Sequence, residues 1–580
     1  MSEQGKGRWP GQPGKSGRPG QPGRPERRNE QRSQGQGRNE RRDEQGRNER
    51  RDEQGRTRNR GTSGGPRQYS ASAPSQRRRS ADPSRLAAFE TLTAVSRDDA
   101  YANLVLPGRI AAHRLDKRDA GFATELTYGA LRQQGFYDAV LATCVDRPLD
   151  QLDRPVLDAL RLGAHQLLGM RVPSHAALDS TVSLVRDQIG AGPSGLVNAV
   201  LRKVTAQERE AWLDQLAPVD EQTGAASDAA LAIRHSHPQW IIRALRQSLA
   251  NHGRPAEGRT AELEALLEAD NAAPVVNLVA LPGLGDLQPV LAAGAEPGPL
   301  VPGSALYRDG DAGRLPGVKE GTIRVQDVGS QLTARALAVV PVGSAAPGAP
   351  GASGDSHAPE RWLDLCAGPG GKAALLAALA REQGATLLAN EPAEHRARLV
   401  ENALAAVPGG ASAADAAGAA DAGKTWSIRC GDGRDLGTEQ PEAFDRILVD
   451  APCTGLGALR RRPESRWRRQ PSDLGPLTEL QRQLLDSAVE ALKPGGVLGY
   501  VTCSPHPAET VFQVQDVLKR HPGLELLDTT GYLTEVAPAL KDAGSEPTAR
   551  SADSGNTSQL WPHLHATDAM FMALFRKVES

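Results

Sequence analysis

The segment that most constrains the fold of this chain is Trp362-Leu-Asp-Leu-Cys-Ala-Gly-Pro-Gly-Gly-Lys-Ala373. An apolar strand runs into a glycine-rich turn and then into the helical run Ala373–Leu379. Such strand–turn–helix units build open α/β sheets. Glycines let the backbone approach a ligand closely and leave the amino end of the helix free to bind it. The segment therefore predicts a Rossmann-like sheet with a ligand at this turn.

Three ligand classes compete for the glycine-rich turn. A P-loop needs a glycine six residues before its lysine and Ser or Thr after it, but Cys366 and Ala373 stand there, which excludes that class. A dinucleotide motif, G-x-G-x-x-A, fits at Gly368, Gly370 and Ala373, with an acid about 20 residues later at Glu391. An S-adenosylmethionine site has the same geometry, with the acid on the ribose hydroxyls. The glycine motif alone leaves the last two classes open.

Two further apolar runs end in reactive side chains. Phe444–Asp450 leads to Cys453, and Val497–Thr502 leads to Cys503. If both runs are neighbouring strands, their thiols lie near the ligand crevice at the carboxyl edge of the sheet. The alternative is that Asp450 serves turn geometry and that the cysteines are small core residues. The placement of both thiols at strand ends favours the active-site interpretation.

The remaining elements complete the predicted sheet. Ser427-Ile-Arg-Cys-Gly-Asp432 predicts a third strand ending in an acid that could receive an adenine amino group, and Gln481–Leu492 predicts a helix. Met570–Lys577 predicts an antiparallel edge strand.

A thiolate near an acid and a cofactor loop suits methylation of cytosine carbon 5, because addition of the thiolate to carbon 6 turns that poor nucleophile into an enamine.

Charge and cysteine content limit the class of protein. Residues 1–80 hold 21 Lys+Arg against 9 Asp+Glu, a net charge of +12, whereas the rest of the chain holds 48 against 61, a net charge of −13. We expect residues 1–82 to be a disordered Arg/Gly-rich tail that either binds RNA or only solubilises the protein.

The five cysteines show neither CxxC nor zinc spacing, which predicts no metal site and a reducing cytoplasm. No signal-like or membrane-spanning apolar run is present, so we expect a cytoplasmic protein without membrane contact.

Residues 83–206 read as amphipathic helices, with Val156, Leu160, Gly163 and Leu167 on one helical face. A helical bundle without a stated role is one interpretation. The region also resembles the NusB-like RNA-binding domain, and that resemblance implies a bundle that docks on RNA. The matching segments are Phe122-Ala-Thr-Glu-Leu-Thr-Tyr-Gly-Ala-Leu-Arg132, Leu160-Arg-Leu-Gly-Ala-His-Gln-Leu-Leu168, Val172-Pro-Ser-His175 and Asn198-Ala-Val-Leu-Arg202.

From residue 83 to its end, the chain resembles the bacterial 16S rRNA (cytosine-5)-methyltransferase B family (RsmB, also called Sun or Fmu). The motifs that carry the resemblance are Val325-Gln-Asp-Val-Gly-Ser-Gln331, Leu363-Asp-Leu-Cys-Ala-Gly-Pro-Gly-Gly-Lys372, Gly431-Asp-Gly-Arg434, Phe444-Asp-Arg-Ile-Leu-Val-Asp-Ala-Pro-Cys453, Arg461-Arg-Pro463 and Thr502-Cys-Ser504. The implied layout is a tail (1–82), a NusB-like domain (83–206), linker helices with a small α+β subdomain (207–325) and an S-adenosylmethionine-dependent methyltransferase domain of the Rossmann-like α/β class (326–580).

The same resemblance implies roles for individual residues. Cys503 is the nucleophile, Cys453 promotes product release and Asp450 binds the cytosine ring. The implied cofactor-binding residues are Cys366, Ala367, Gly368, Pro369, Gly370, Gly371, Lys372, Glu391, Arg396, Asp432 and Asp450. Four positions depart from the family pattern: Gly368 replaces an alanine, Ala373 replaces a threonine, and Ala569-Met570 replaces a Gly-Phe pair.

The expected partner is 16S rRNA, before full ribosome assembly, and the expected state is a monomer. The contrasting hypothesis is an RNA-binding assembly factor whose methyltransferase fold is not catalytic. A third hypothesis, a nicotinamide-dependent oxidoreductase, gives the paired thiols no use.

Overall fold

The structure, a computed structural model, describes residues 81–222, 224–343, 359–411, 424–541 and 557–578. The tail predicted at 1–82 lies outside these ranges except for its last two residues. Most of the low-complexity inserts expected as surface loops, at 341–359, 408–423 and 541–559, also lie outside them. Within the described ranges no helix is both long enough and apolar enough to cross a membrane.

The first part of the described chain is helical. Its helices are α1 (Pro83–Arg97), α2 (Ala102–Ala112), α3 (Lys117–Arg132), α4 (Gln134–Cys144), α5 (Arg154–Leu168), α6 (Ser174–Gln188), α7 (Ser194–Val204), α8 (Arg209–Leu216), α9 (Asp228–Arg234), α10 (Gln239–Asn251) and α11 (Arg259–Asn271). Helices α1–α7 are called the helical domain below.

Helix α5 lies at the centre of the helical domain because one of its faces is apolar. Val156, Leu160 and Gly163 are buried as the spacing predicts, while Leu167 is half-buried at the margin. A Cβ on Gly163 would lie 2.6 Å from a methyl carbon of Leu201, so glycine permits the close approach of α5 and α7. The predicted helical bundle is confirmed.

A small antiparallel sheet follows the helices. It contains β1 (Val276–Ala280), β2 (Glu296–Pro297), β3 (Ser304–Tyr307) and β4 (Ile323–Val325) in the order β2-β3-β1-β4, with α12 (Gln288–Ala292) between β1 and β2. The next helix begins at Val328, because Asp327 caps it by accepting the N–H of Gly329 at 3.0 Å.

The C-terminal part, residues 326–578, is an α/β sheet covered by helices on both faces. Its strands are β5 (Arg361–Asp364), β6 (Thr386–Asn390), β7 (Gly410–Ala411), β8 (Trp426–Arg429), β9 (Phe444–Asp450), β10 (Leu492–Thr502), β11 (Leu524–Leu526), β12 (Ser558–Gln559) and β13 (Phe571–Lys577). Its helices are α13 (Val328–Val339), α14 (Gly371–Glu382), α15 (Glu394–Leu404), α16 (Leu436–Glu439), α17 (Ser465–Arg468), α18 (Leu474–Ala491), α19 (Val511–Arg520), α20 (Thr529–Val536) and α21 (Pro562–His565).

The described strands pair in the order β11-β13-β10-β9-β5-β6-β8-β7, with β12 alongside β13. Strands β5 to β10 run parallel, which confirms the predicted Rossmann-like class. Strand β13 is antiparallel as expected, but the prediction that it forms the edge is wrong. The three-residue strand β11 pairs with its outer side, and so short a segment gives little strand signal in the sequence.

Arg466 joins the C-terminal part to the helices before it. Its guanidinium is fully buried and donates to the carbonyl oxygens of Arg132 (3.0 Å), Ser236 (3.2 Å) and Asp270 (2.7 Å), and to Oδ1 of Asn271 (2.7 Å). Burial lowers its pKa to about 10, so it remains charged at neutral pH. One side chain thus satisfies acceptors from three separate regions of the chain.

We predict that Arg466→Met lowers the free energy of unfolding by about 3 kcal/mol, because it leaves these buried acceptors without a donor. Urea denaturation followed by circular dichroism measures the change. Arg398→Met is the matched control: Arg398 is exposed and, among the residues that the structure describes, pairs with Glu394 one turn away on α15, so its loss should cost about 0.5 kcal/mol or less. Equal stability of both variants would contradict the assigned role of Arg466.

Candidate active site

The order of the parallel strands creates a crevice between β5 and β9. From β5 the chain proceeds outward through β6 and β8 on one side, whereas β9 and β10 lie on the other. At such a switch point the loops after the two central strands diverge and leave room for a ligand at their carboxyl ends. Asp364 ends β5 and Asp450 ends β9, so two carboxylates flank this crevice.

The two thiols predicted at strand ends lie next to each other. Strands β9 and β10 are parallel neighbours, with Asp450 opposite Val501. The Sγ atoms of Cys453 and Cys503 are 3.4 Å apart, and both residues are half-buried. The expectation that the thiols come from adjacent strands is therefore confirmed, and the pair stands beside the crevice rather than inside the core.

The surroundings of the thiols favour negative charge on Cys503. The hydrogen bond from the Cys453 thiol lowers the pKa of Cys503, against the opposing effects of burial and Asp450, and Lys372 also lowers it. The same hydrogen bond, together with burial and the nearby Glu509 carboxylate, raises the pKa of Cys453. Cys503 is thus the thiol of the pair that loses its proton more readily, and Cys453 is the one that retains it.

Asp450 and Lys372 form an ion pair at the crevice. Lys372 Nζ donates to Asp450 Oδ2 at 2.8 Å, and the lysine side chain is 9% exposed against 29% for the aspartate. Burial acts to lower the pKa of Lys372, but the Asp450 carboxylate outweighs it and leaves the pKa above its usual value. The result is a fixed carboxylate with a cation beside it, able to hold a polar ring edge.

The glycine-rich loop packs against Glu391 at the end of β6. Arg396 joins the two, donating to the carbonyl oxygen of Gly368 at 2.9 Å and pairing with Glu391 Oε2 at 3.3 Å. A Cβ on Gly368 would lie 2.1 Å from Oε2 of Glu391. The glycine that departs from the family pattern therefore makes room for the acid. Gly370 has a φ of +103° and its Cβ would lie 2.4 Å from that of Ala403, so glycine is also needed there.

Asp364 is a crevice residue that the sequence prediction omitted. Its carboxylate is fully buried and makes no well-formed hydrogen bond with the described residues, and the charge of Lys372 and the N–H of Cys366 act to lower its pKa. Burial and the charge of Asp450 raise the pKa of Asp364 to about 7. Burial and the neighbouring carboxylates also raise the pKa of Cys366, so its thiol stays neutral. The position of Asp364 at the end of the strand before the glycine turn is the signal that could have identified it.

The remaining predicted residues follow the edge of the sheet. Asp432 lies after β8 and makes a two-pronged ion pair with Arg434 that lowers the pKa of its carboxyl. Ala367, Pro369 and Gly371 belong to the glycine-rich loop and position its backbone. Ala373 lies in the first turn of α14 and is buried in the core, where a hydroxyl would meet apolar neighbours.

A charge cluster next to the thiols was also missed; Arg460, Asp327 and Asp568 are buried in it, whereas Arg461 is exposed. Arg461 pairs with Asp568 at 2.9 Å, and Arg460 bonds Asp327 at 3.1 Å. The Asp568 carboxylate acts on the pKa of Cys503, which places it near the reactive sulfur. The sequence marked Arg461 and Asp568 only as parts of motifs, since their pairing joins residues more than 100 positions apart.

We predict that Cys453→Ala raises the pH at which Cys503 reacts with iodoacetamide. The substitution removes the thiol that donates to Cys503 and lowers its pKa, so the thiolate should form only at higher pH. The alkylation rate of the Cys503 peptide, followed against pH by mass spectrometry, gives the midpoint. Cys430→Ala, which removes an exposed thiol elsewhere, should leave it unchanged. An unchanged or lower midpoint in Cys453→Ala would contradict the proton arrangement.

Comparison with known proteins agrees with this architecture. Residues 355–576 match the family model for 16S rRNA methyltransferase RsmB/F, and residues 82–206 match the NusB family. A Mycobacterium tuberculosis protein, Rv1407, provisionally named a methyltransferase, is 44% identical over 87% of this chain and 98% of its own. Ribosomal RNA small subunit methyltransferase B of Vibrio cholerae is 31% identical over 72% of this chain and 85% of its own.

Among solved structures, the crystal structure of PH0851 has a TM-score of 0.65 at 21% identity, covering 86% of this chain and 99% of that one. This likeness shows the fold. The sequence relatives extend over nearly their full lengths, through the helical domain and the α/β sheet together. The chain therefore belongs to the RsmB/F family of 16S rRNA methyltransferases, with an N-terminal NusB domain.

Proposed function

We propose that this protein is an S-adenosylmethionine-dependent RNA cytosine-5 methyltransferase that modifies a cytosine of 16S rRNA through a covalent adduct with Cys503. The observation that carries the proposal is the pair of thiols 3.4 Å apart beside the ion-paired Asp450. A thiolate and an acid placed so can activate a pyrimidine ring that does not accept a methyl group unaided.

The crevice residues fit S-adenosylmethionine. Glu391 is positioned to accept ribose hydroxyls, the glycine-rich loop leaves its backbone accessible, and Asp432 lies where an adenine amino group could be received. Asp364, Glu391 and Asp450 also concentrate negative charge around one lysine, which complements a positively charged sulfonium. When bound, the cofactor would supply an electrophilic methyl group.

The protein residues supply the rest of the chemistry. The Cys503 thiolate forms a bond to carbon 6 of the cytosine, and the displaced electron pair moves through the ring toward N3. The Asp450–Lys372 pair steadies N3 and the exocyclic amine and balances that charge. The nucleophilic carbon 5 then takes the methyl group. A base then takes the carbon 5 proton, and the electron pair of that carbon–hydrogen bond re-forms the double bond between carbons 5 and 6. The bond from carbon 6 to sulfur breaks, Cys503 leaves as a thiolate, and Cys453 assists this release.

The geometry of an enzyme that reaches a ring carbon requires an unpaired or flipped-out base. We therefore propose protein-free rRNA as a better substrate than the assembled small subunit. The alternative, a non-catalytic RNA-binding assembly factor, does not explain why the paired thiols lie beside the Asp450–Lys372 ion pair.

We predict that Cys503→Ala lowers methyl transfer on the order of 10⁴-fold, because the ring can no longer be activated. Cys453→Ala should instead accumulate a protein–RNA adduct, visible as a slow band on a denaturing gel. Transfer of labelled methyl groups to 16S rRNA, with sequencing of 5-methylcytosine, measures activity and position. Full activity of Cys503→Ala would refute the mechanism, and no turnover by folded wild-type protein would favour the assembly-factor alternative.

We predict that Glu391→Gln weakens S-adenosylmethionine binding about tenfold, the loss of one charge-assisted hydrogen bond. Isothermal titration calorimetry without RNA measures the effect. Glu394→Gln is the matched control, since Glu394 is exposed three residues away and pairs with Arg398. Equal affinities of the two variants would contradict the assignment of Glu391.

A further inference from the structure

Glu509 connects the two loops that carry the thiols. It lies in the short turn after Cys503, and its side chain is completely buried. Its Oε1 accepts the backbone N–H of Thr454 at 2.7 Å, and its Oε2 accepts the hydroxyls of Thr454 at 2.5 Å and Ser504 at 2.6 Å. Thr454 directly follows Cys453, and Ser504 directly follows Cys503. One carboxylate therefore holds the residue after each thiol.

Other bonds fix the carboxylate itself. Gln481 of α18 donates to Oε1 at 3.4 Å, and the Tyr500 hydroxyl donates to the backbone carbonyl oxygen of Glu509 at 2.7 Å. The hydroxyls of Thr454 and Ser504 are also 3.1 Å apart, so both loops meet at one point. Because both carboxylate oxygens are engaged and buried, Glu509 is oriented toward the loops rather than toward a ligand.

We propose that Glu509 is a positioning residue: by bonding the residues after Cys453 and Cys503 to each other, it sets the distance between the two sulfur atoms. Strand pairing brings β9 and β10 together only up to Asp450 and Thr502. Beyond those residues the described loops share one backbone hydrogen bond, from the Gly457 N–H to the Cys503 carbonyl oxygen at 2.9 Å, rather than a ladder. Glu509 adds a cross-connection through its side chain. The catalytic consequence rests on the function proposed above, whereas the structural consequence does not.

The test compares Glu509→Ala with Glu509→Gln. The glutamine oxygen can still accept the Thr454 N–H, and the two hydroxyls can turn to accept from its amide, so the cross-connection is largely retained. Asp158→Asn is the matched control: Asp158 is a buried carboxylate of the helical domain that accepts from Ser96 at 2.6 Å and Arg161 at 3.3 Å, away from the thiols.

The first measurement needs no RNA. Diamide takes two electrons and two protons from the thiols and becomes a hydrazine, while Cys453 and Cys503 form a disulfide that peptide mass spectrometry identifies. We expect this disulfide to form severalfold more slowly in Glu509→Ala, and at close to the wild-type rate in Glu509→Gln and Asp158→Asn. A wild-type rate in a folded Glu509→Ala protein would overturn the proposal.

The second measurement is methyl transfer to 16S rRNA. Glu509→Ala should lower kcat about 100-fold, the effect of a displacement of about 1 Å, with KM for RNA nearly unchanged, and Glu509→Gln should recover most of the loss. A glutamine variant as inactive as the alanine variant would overturn positioning in favour of a role for the negative charge. If wild-type protein transfers no methyl group, the proposed function fails while the disulfide measurement still decides the role of Glu509.

Should Glu509→Ala not fold, Ser504→Ala tests the same connection, since it removes one donor and leaves the carboxylate in place. We expect its disulfide to form more slowly than in folded wild-type protein but faster than in wild-type protein that has been unfolded in urea. A wild-type rate in Ser504→Ala together with a wild-type kcat would count against the cross-connection.

Discussion

The parallel pairing of β9 with β10 is the constraint on which the reactive site depends. The register sets Val449 opposite Tyr500 and Asp450 opposite Val501, so both strands reach the carboxyl edge of the sheet at the same level. Two cysteines that are 50 residues apart in sequence therefore emerge side by side. Helix α18 packs against this pair of strands, and β5, where the strand order reverses, pairs with the other edge of β9.

The site concentrates acids around few cations. Asp364, Glu391 and Asp450 meet near the glycine-rich loop, while Lys372 and Arg396 each hold one of these carboxylates in place. In such an arrangement the charge of any single residue is set by its neighbours more than by its own chemistry. Burial and the Asp450 charge raise the pKa of Asp364, whereas for Lys372 burial acts to lower the pKa and the same Asp450 charge raises it above its usual value.

The sequence was sufficient to predict the fold class, strand β9 with its exact bounds, and the meeting of Cys453 with Cys503. These features depend on apolar runs and strand order, which are local or nearly so. Tertiary pairings were not predictable in the same way. Glu509 bonds Thr454 across 55 positions, and the outer strand β11 shows itself only through its pairing with β13. A carboxylate between Ala508 and Thr510 looks the same in sequence whether it is exposed or, like that of Glu509, fully buried.

The segment after Cys453 also contacts the helices that precede the α/β sheet. Arg469 donates to the carbonyl oxygen of Thr454, while three residues earlier Arg466 is enclosed by acceptors from α3, α11 and the turn before α10. Those acceptors all lie outside residues 355–576, the span that matches the family model for 16S rRNA methyltransferase RsmB/F. A fragment cut to that span would remove the groups that bury Arg466, which lies 13 residues after Cys453 in the sequence. The span matched by the methyltransferase model is thus smaller than the unit that buries this arginine.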